Sequence, residues 1–197
     1  MPDPSNLAPA AFGILTYVQD EVLVNQTGIP TVLPTNHARI YVDLSDGHTT
    51  GLALANPGSS SLSFSAVAYR PDGITQAGTA RGPFTIEANG ETAAFVDAFV
   101  AGLQEGFTGV LDIASSSGSF IPLSLRARMN ERNEFLISLF PVADLTRLAP
   151  SIVIFPQIAA GGYADQYETD VILIGTGNAR ITLNYRADDG SPLPIAR

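Results

Sequence analysis

The chain has 197 residues, 45% apolar, 15% charged and 8% aromatic, with 18 Gly, 14 Pro and a net charge of −9. That apolar share is too high for an intrinsically disordered chain, and no apolar run reaches the ~18 residues of a membrane helix. All ten basic residues are Arg and there is no Cys, which excludes lysine Schiff bases, a phosphate-loop lysine, disulfides, thiol nucleophiles and thiolate metal sites.

The start, Met1-Pro2-Asp3-Pro4-Ser5, has neither a basic n-region nor an apolar h-region. Either the protein is cytosolic or Met1 stands where a leader was removed, and the second is our reading. Low charge and abundant Ser, Thr, Gly and Pro point the same way, to a secreted or cell-surface protein. Residues 1–36 carry three acids and no base. No basic stripe for a nucleic acid is present there or later.

Within residues 1–37, Phe12–Val18 and Val22–Val24 are strand-like. Arg39–Leu44 and Thr50–Ala55 follow. Leu62, Phe64, Ala66 and Ala68 then alternate with serines, the period of a strand with one buried face. Pro83–Ala88 is the next strand. Phe95, Phe99 and Leu103 repeat at four, which predicts a short helix or a strand running into a helical turn. Phe107–Ala114 resumes the strands. Ile121, Leu123, Leu125, Ala127 and Met129 alternate with Pro122, Ser124, Arg126 and Arg128, so the first set is expected to face the core. Glu134–Phe140, Ile152–Phe155, Thr169–Gly175 and an alternating Ile181-Leu183-Tyr185 run complete the series. Turn chemistry separates them at Asn56-Pro57-Gly58, Pro71-Asp72-Gly73, Asn89-Gly90, Ser117-Gly118 and Asp188-Asp189-Gly190. Alternation with one wet face implies antiparallel sheets, and many short strands imply a sandwich or barrel.

Residues 50–73 are echoed by 169–190. Leu52-Ala53-Leu54-Ala55-Asn56 and Tyr69-Arg70-Pro71-Asp72-Gly73 find loose counterparts in Val171–Gly175 and Tyr185–Gly190. Arg39-Ile40-Tyr41-Val42 is matched more weakly by Ser151–Phe155. Thr50–Pro57, Phe107-Thr108-Gly109-Val110-Leu111, Met129–Arg132, Phe155-Pro156-Gln157 and Gly161-Gly162-Tyr163 together resemble a bacterial repeat. It is similar to uncharacterised immunoglobulin-like modules found in tandem in predicted secreted or surface proteins. The resemblance covers about residues 38–197 and implies a β-sandwich in an extracellular setting; it supplies no catalytic or binding residues.

The expected organisation is therefore an N-terminal strand segment (1–37), a complete immunoglobulin-like antiparallel β-sandwich (38–141), a linker (142–150) and a partial second sandwich (151–197). Forty-seven residues are too few to shield their own apolar face without disulfides or metal. The expected cover is the N-terminal strand segment, from the same molecule or as a donor strand into a neighbour. The latter contact is head-to-tail and generates a filament.

Candidates for chemistry are sparse. His37 and His48 sit beside turns without zinc-site spacing. Ser115–Ser119 lacks a nucleophile elbow. Asp43 with Asp46-Gly47, and Asp188-Asp189-Gly190, lack EF-hand spacing. Asn25-Gln26-Thr27 is a glycosylation sequon. Tyr163 and Tyr167 are the aromatic pair placed to stack on a sugar ring. The expectation is a non-enzymatic extracellular structural or adhesive subunit without cofactor or metal. Its partners would be other copies met through strand edges. The alternative is a carbohydrate-binding module of a larger secreted protein, with a glycan as partner.

Overall fold

The architecture comes from a computed structural model, which describes residues 11–147, 151–159, 167–175, 180–187 and 189–193. The elements, in chain order, are β1 (Phe12–Gln19), β2 (Val22–Pro30), β3 (His37–Asp43), β4 (His48–Ala55), β5 (Leu62–Tyr69), β6 (Gln76–Ala77), β7 (Thr79–Ala80), β8 (Phe84–Ile86) and β9 (Glu91–Phe95). They continue with α1 (Val96–Phe99), β10 (Val100–Ala101), β11 (Thr108–Ser115), β12 (Ile121–Met129), β13 (Phe135–Phe140) and β14 (Ala143–Asp144). The chain is all-β, as its alternation predicts.

Two antiparallel sheets make the sandwich. The first runs β14-β3-β11-β5-β6, with β8 also paired to β5; the second runs β13-β12-β4-β9. From the first sheet, Ala38, Ile40 and Val42 of β3, Leu111 and Ile113 of β11, and Leu62, Phe64, Ala66 and Ala68 of β5 point inward. Leu52 and Leu54 of β4 meet them from the second. The predicted alternation in Leu62–Ala68 thus matches the core exactly where a period-two face must be dry.

The Phe95–Leu103 segment is a strand running into one helical turn. Val96, Phe99 and Val100 are buried there, while Phe95 is exposed. Phe99 stands edge-on to Phe84, with ring centroids 5.3 Å apart, and Phe84 stacks on Phe64 at 5.2 Å. This aromatic trio closes one end of the sandwich through favoured offset and T-shaped geometries.

Two residues from the sequence motifs have local structural reasons. The Asn56 side chain donates to the carbonyls of Ser60, Ile86 and Glu87 and accepts from Gly58 N, so it ties the end of β4 to the end of β8. At Gly109, a Cβ would collide with the carbonyl oxygen of Tyr69 and with the Phe107 ring. Only glycine permits so close an approach between backbones.

Strand β12 departs from expectation. Pro122 and Ser124 are buried, opposite the core residues Leu54 and Leu52, while Ile121, Leu123 and Leu125 are half-buried on the outer surface. Period two assigns residues to faces but does not say which face meets the other sheet. Cross-strand register with β4 decides that, and it turns Ile121, Leu123 and Leu125 outward, while Ala127 of the same set is buried as expected.

The runs Ile152–Phe155, Thr169–Gly175 and Ile181–Tyr185, expected as strands, carry no strand among the described residues. Apolar alternation can prepare a strand, but its backbone groups need a neighbouring ladder. The one bridge with both ends described in this region joins Arg186 to Pro192.

Candidate functional site

The N-terminal segment forms a two-stranded hairpin. Asp20 and Glu21, with φ of 50° and 65°, make the turn between β1 and β2. Positive φ at both central residues gives the twist that two-residue hairpin loops need, although acidic residues here replace the usual Asn-Gly. A register shift between Tyr17 and Val18 then places Tyr17 opposite Asn25 and Val18 opposite Leu23.

The hairpin has two unlike faces. Leu15, Tyr17, Asn25, Thr27 and Ile29 are half-buried. On the other face Phe12 is 78% and Ile14 64% exposed, and Val18 and Leu23 are exposed with them; Val22, opposite Gln19 beside the turn, is exposed too. No charged side chain lies within β1 or β2. An uncharged, solvent-facing strand pair without Lys or Pro at mid-strand lacks the devices that normally blunt sheet edges.

This hairpin leans on β13. Tyr17 meets Phe135 edge-on at 6.0 Å, and Asn25 Oδ1 accepts the backbone N–H of Ile137 at 3.3 Å. No backbone ladder joins β2 to β13. Beside this seam opens a groove of about 780 Å3, lined by Phe12, Ile29, Leu33, Leu123, Leu139 and Phe140 among others. The N-terminal strands therefore pack beside the second sheet as a separate hairpin. Among the described residues β1 and β2 pair only with each other, and no strand of the C-terminal region is paired with them.

The C-terminal region touches the outer face of the first sheet at β3. Arg39 points outward from β3; its Nη1 donates to the carbonyl of Gly175 at 2.7 Å and its Nε to Asp112 at 2.7 Å. Asp112 also holds His37 Nε2 at 2.9 Å, and the Arg39 guanidinium lies 5.4 Å from the Tyr69 ring centre. Burial raises the Tyr41 pKa above its ordinary value, and the negative charges of Asp43 and Asp170 add to it. Among the described residues of this region several large apolar side chains are bare: Ile152 is 75% and Ile154 80% exposed, with Val153, Phe155, Leu173, Ile181 and Leu183 also exposed.

The residues singled out for chemistry do not converge. His48 Nδ1 is 2.7 Å from the carbonyl oxygen of Ser45, remote in role from the His37–Asp112 pair. Among the described residues no group of three or more His, Cys, Asp or Glu is placed to hold a metal. Asp43 is committed to Ser45 and to Arg126, whose Nε donates at 2.6 Å. Ser117 Oγ accepts from the backbone N–H of Ser63 on β5 at 2.8 Å. Asp189 accepts from Ser191 N, and Asp188 lies outside the described residues. Tyr167 is exposed, and Tyr163 lies outside the described residues, so the pair is not observed together.

The Arg39–Asp112–His37 network escaped the sequence reading. Its signal was present as His37 and Arg39 two apart on one strand face; the missing information was the register that sets Asp112 opposite Arg39. Asn25 escaped likewise, because a sequon draws attention to its amide nitrogen and not to its oxygen.

Comparison with protein-family models, with curated proteins and with solved structures found no match to this chain. Among the described residues no helix is long and apolar enough to cross a membrane.

Proposed function

We propose that the chain is a non-enzymatic extracellular structural or adhesive module of immunoglobulin-like type, which self-associates through strand edges and extends into a filament by strand complementation. The observation that carries this reading is the β1–β2 hairpin, an uncharged strand pair with an exposed apolar face, held to its own sandwich without a backbone ladder. Paired strands with a bare apolar face are built to be covered. β-augmentation supplies main-chain bonds for affinity and alternate side chains for register. The test is light scattering and electron microscopy of the chain with and without residues 1–30. Concentration-dependent growth that disappears on deletion is expected; a full chain that stays monomeric at every concentration overturns the proposal.

A second reading, a glycan-binding module, is favoured by Tyr167, whose exposed ring has no aromatic or cationic partner among the described residues. Polysaccharide binding lost in Tyr167→Ala would promote it, and a glycan array blank for the intact chain would remove it.

A further inference from the structure

We infer that the outer face of the β1–β2 hairpin docks on the Ile152–Phe155 run of a second copy of this chain. The inference rests on the self-association reading and names its two surfaces.

Three observations converge on this pairing. Among the described residues the exposed large apolar side chains gather in two places, the hairpin and the C-terminal region; Leu33, Ile74, Phe95 and Met129 are scattered between. The two segments proposed to meet carry no charge of their own: neither β1, β2 nor residues 151–158 contain an acid or base, and the hairpin's acids, Asp20 and Glu21, are confined to its turn. In a chain of net charge −9, two copies repel over most of their surfaces. Neutral apolar surfaces are where they can approach.

The third observation is geometric. Side chains of both parities in Ile152–Phe155 are exposed and the run carries no strand, so its backbone groups are open to a ladder from outside. β1 has β2 on one edge and no strand on the other among the described residues. On that outer face Phe12, Ile14, Val18 and Leu23 leave on the order of 400 Å2 of apolar surface bare, and two matched surfaces would bury about 800 Å2, the scale of a weak, reversible contact. The hairpin of one copy meets the C-terminal region of the next, so the contact is heterologous and repeats without closing.

The absence of native Cys makes the pairing directly readable. Ile14→Cys and Ile154→Cys are purified separately, mixed, oxidised and run on non-reducing gels. Ser59→Cys, at an exposed turn, replaces Ile14→Cys as the control. Circular dichroism confirms that each variant is folded. The expected result is a mixed dimer well above the control and above either variant oxidised alone. Predominant self-crosslinking of Ile14→Cys would show hairpin meeting hairpin and overturn the pairing. Growth by light scattering without a mixed crosslink would also overturn it while leaving self-association standing. A chain monomeric throughout would sink both.

Discussion

The side-chain oxygen of Asn25 accepts the backbone N–H of Ile137 at 3.3 Å, so a side chain occupies a position that a strand backbone fills in a complete sheet. In an antiparallel ladder alternate residues turn their N–H and C=O away from the paired neighbour. Ile137 is such a residue on the edge of the second sheet, and Asn25 both satisfies and shields it. The hairpin is thereby held by a weak, separable contact, with Tyr17 against Phe135 as its apolar complement.

Asn25→Ala is expected to weaken this hold by about 1 kcal/mol, the net worth of one such bond. Amide exchange at Ile137 should then rise about fivefold, with core amides such as Leu111 unchanged. Unaltered exchange at Ile137 would show that Asn25 does not protect the edge.

Arg39 is 8% exposed, and Asp112 is the carboxylate that balances it. Asp112→Ala strands a largely buried guanidinium and should cost about 3 kcal/mol in urea unfolding. Arg39→Met with Asp112→Leu removes both charges and should recover most of that loss. A single variant as stable as the parent would mean that water already screens the pair.

Acid should unfold the chain partly through Asp43 and Asp144. Burial pushes both carboxyls up, but hydrogen bonds from Ser45 and Arg126 at Asp43, and from Thr146 and Thr35 at Asp144, outweigh it and hold both below the ordinary range. A depressed folded-state pKa contributes stability that is complete above the unfolded value, about 3.9, and is lost as pH falls through the folded one. The urea midpoint should therefore be insensitive to these groups above about pH 5 and fall below about pH 4. Asp43→Asn should flatten that fall. An unchanged acid limb in this variant would remove Asp43 from the account.

Ser124 is fully buried, and its hydroxyl is the one buried side-chain polar atom without a partner among the described residues. An unsatisfied buried hydroxyl costs about 1–3 kcal/mol. Ser124→Ala removes it while creating almost no cavity, so the melting temperature should hold or rise. A clear drop would reveal a partner for that hydroxyl.

The long strands β3, β4, β5, β11, β12 and β13 were legible because period-two patterning is local, and Leu62–Ala68 and Phe107–Ala114 announce their dry faces without reference to any other residue; the two-residue β6 and β7 are too short to carry such a pattern. The facing of β12 was not legible. Its apolar set is real, yet register against Leu52 and Leu54 sends Ser124 inward and Leu123 outward. The hairpin's strands could be read from Phe12–Val18 and Val22–Val24, but its seat on β13 could not, since Asn25 and Ile137 lie far apart along the chain.

Composition and alternation alone settled that the chain is all-β, antiparallel, Cys-free, Lys-free and acidic, since each follows from residue identity or near-neighbour spacing. Tertiary structure alone decided which apolar stripe was covered, which charges met and where the N-terminal strands came to rest. Those outcomes depend on register and on long-range competition for the same strand edges, and neither is written in any short stretch of sequence.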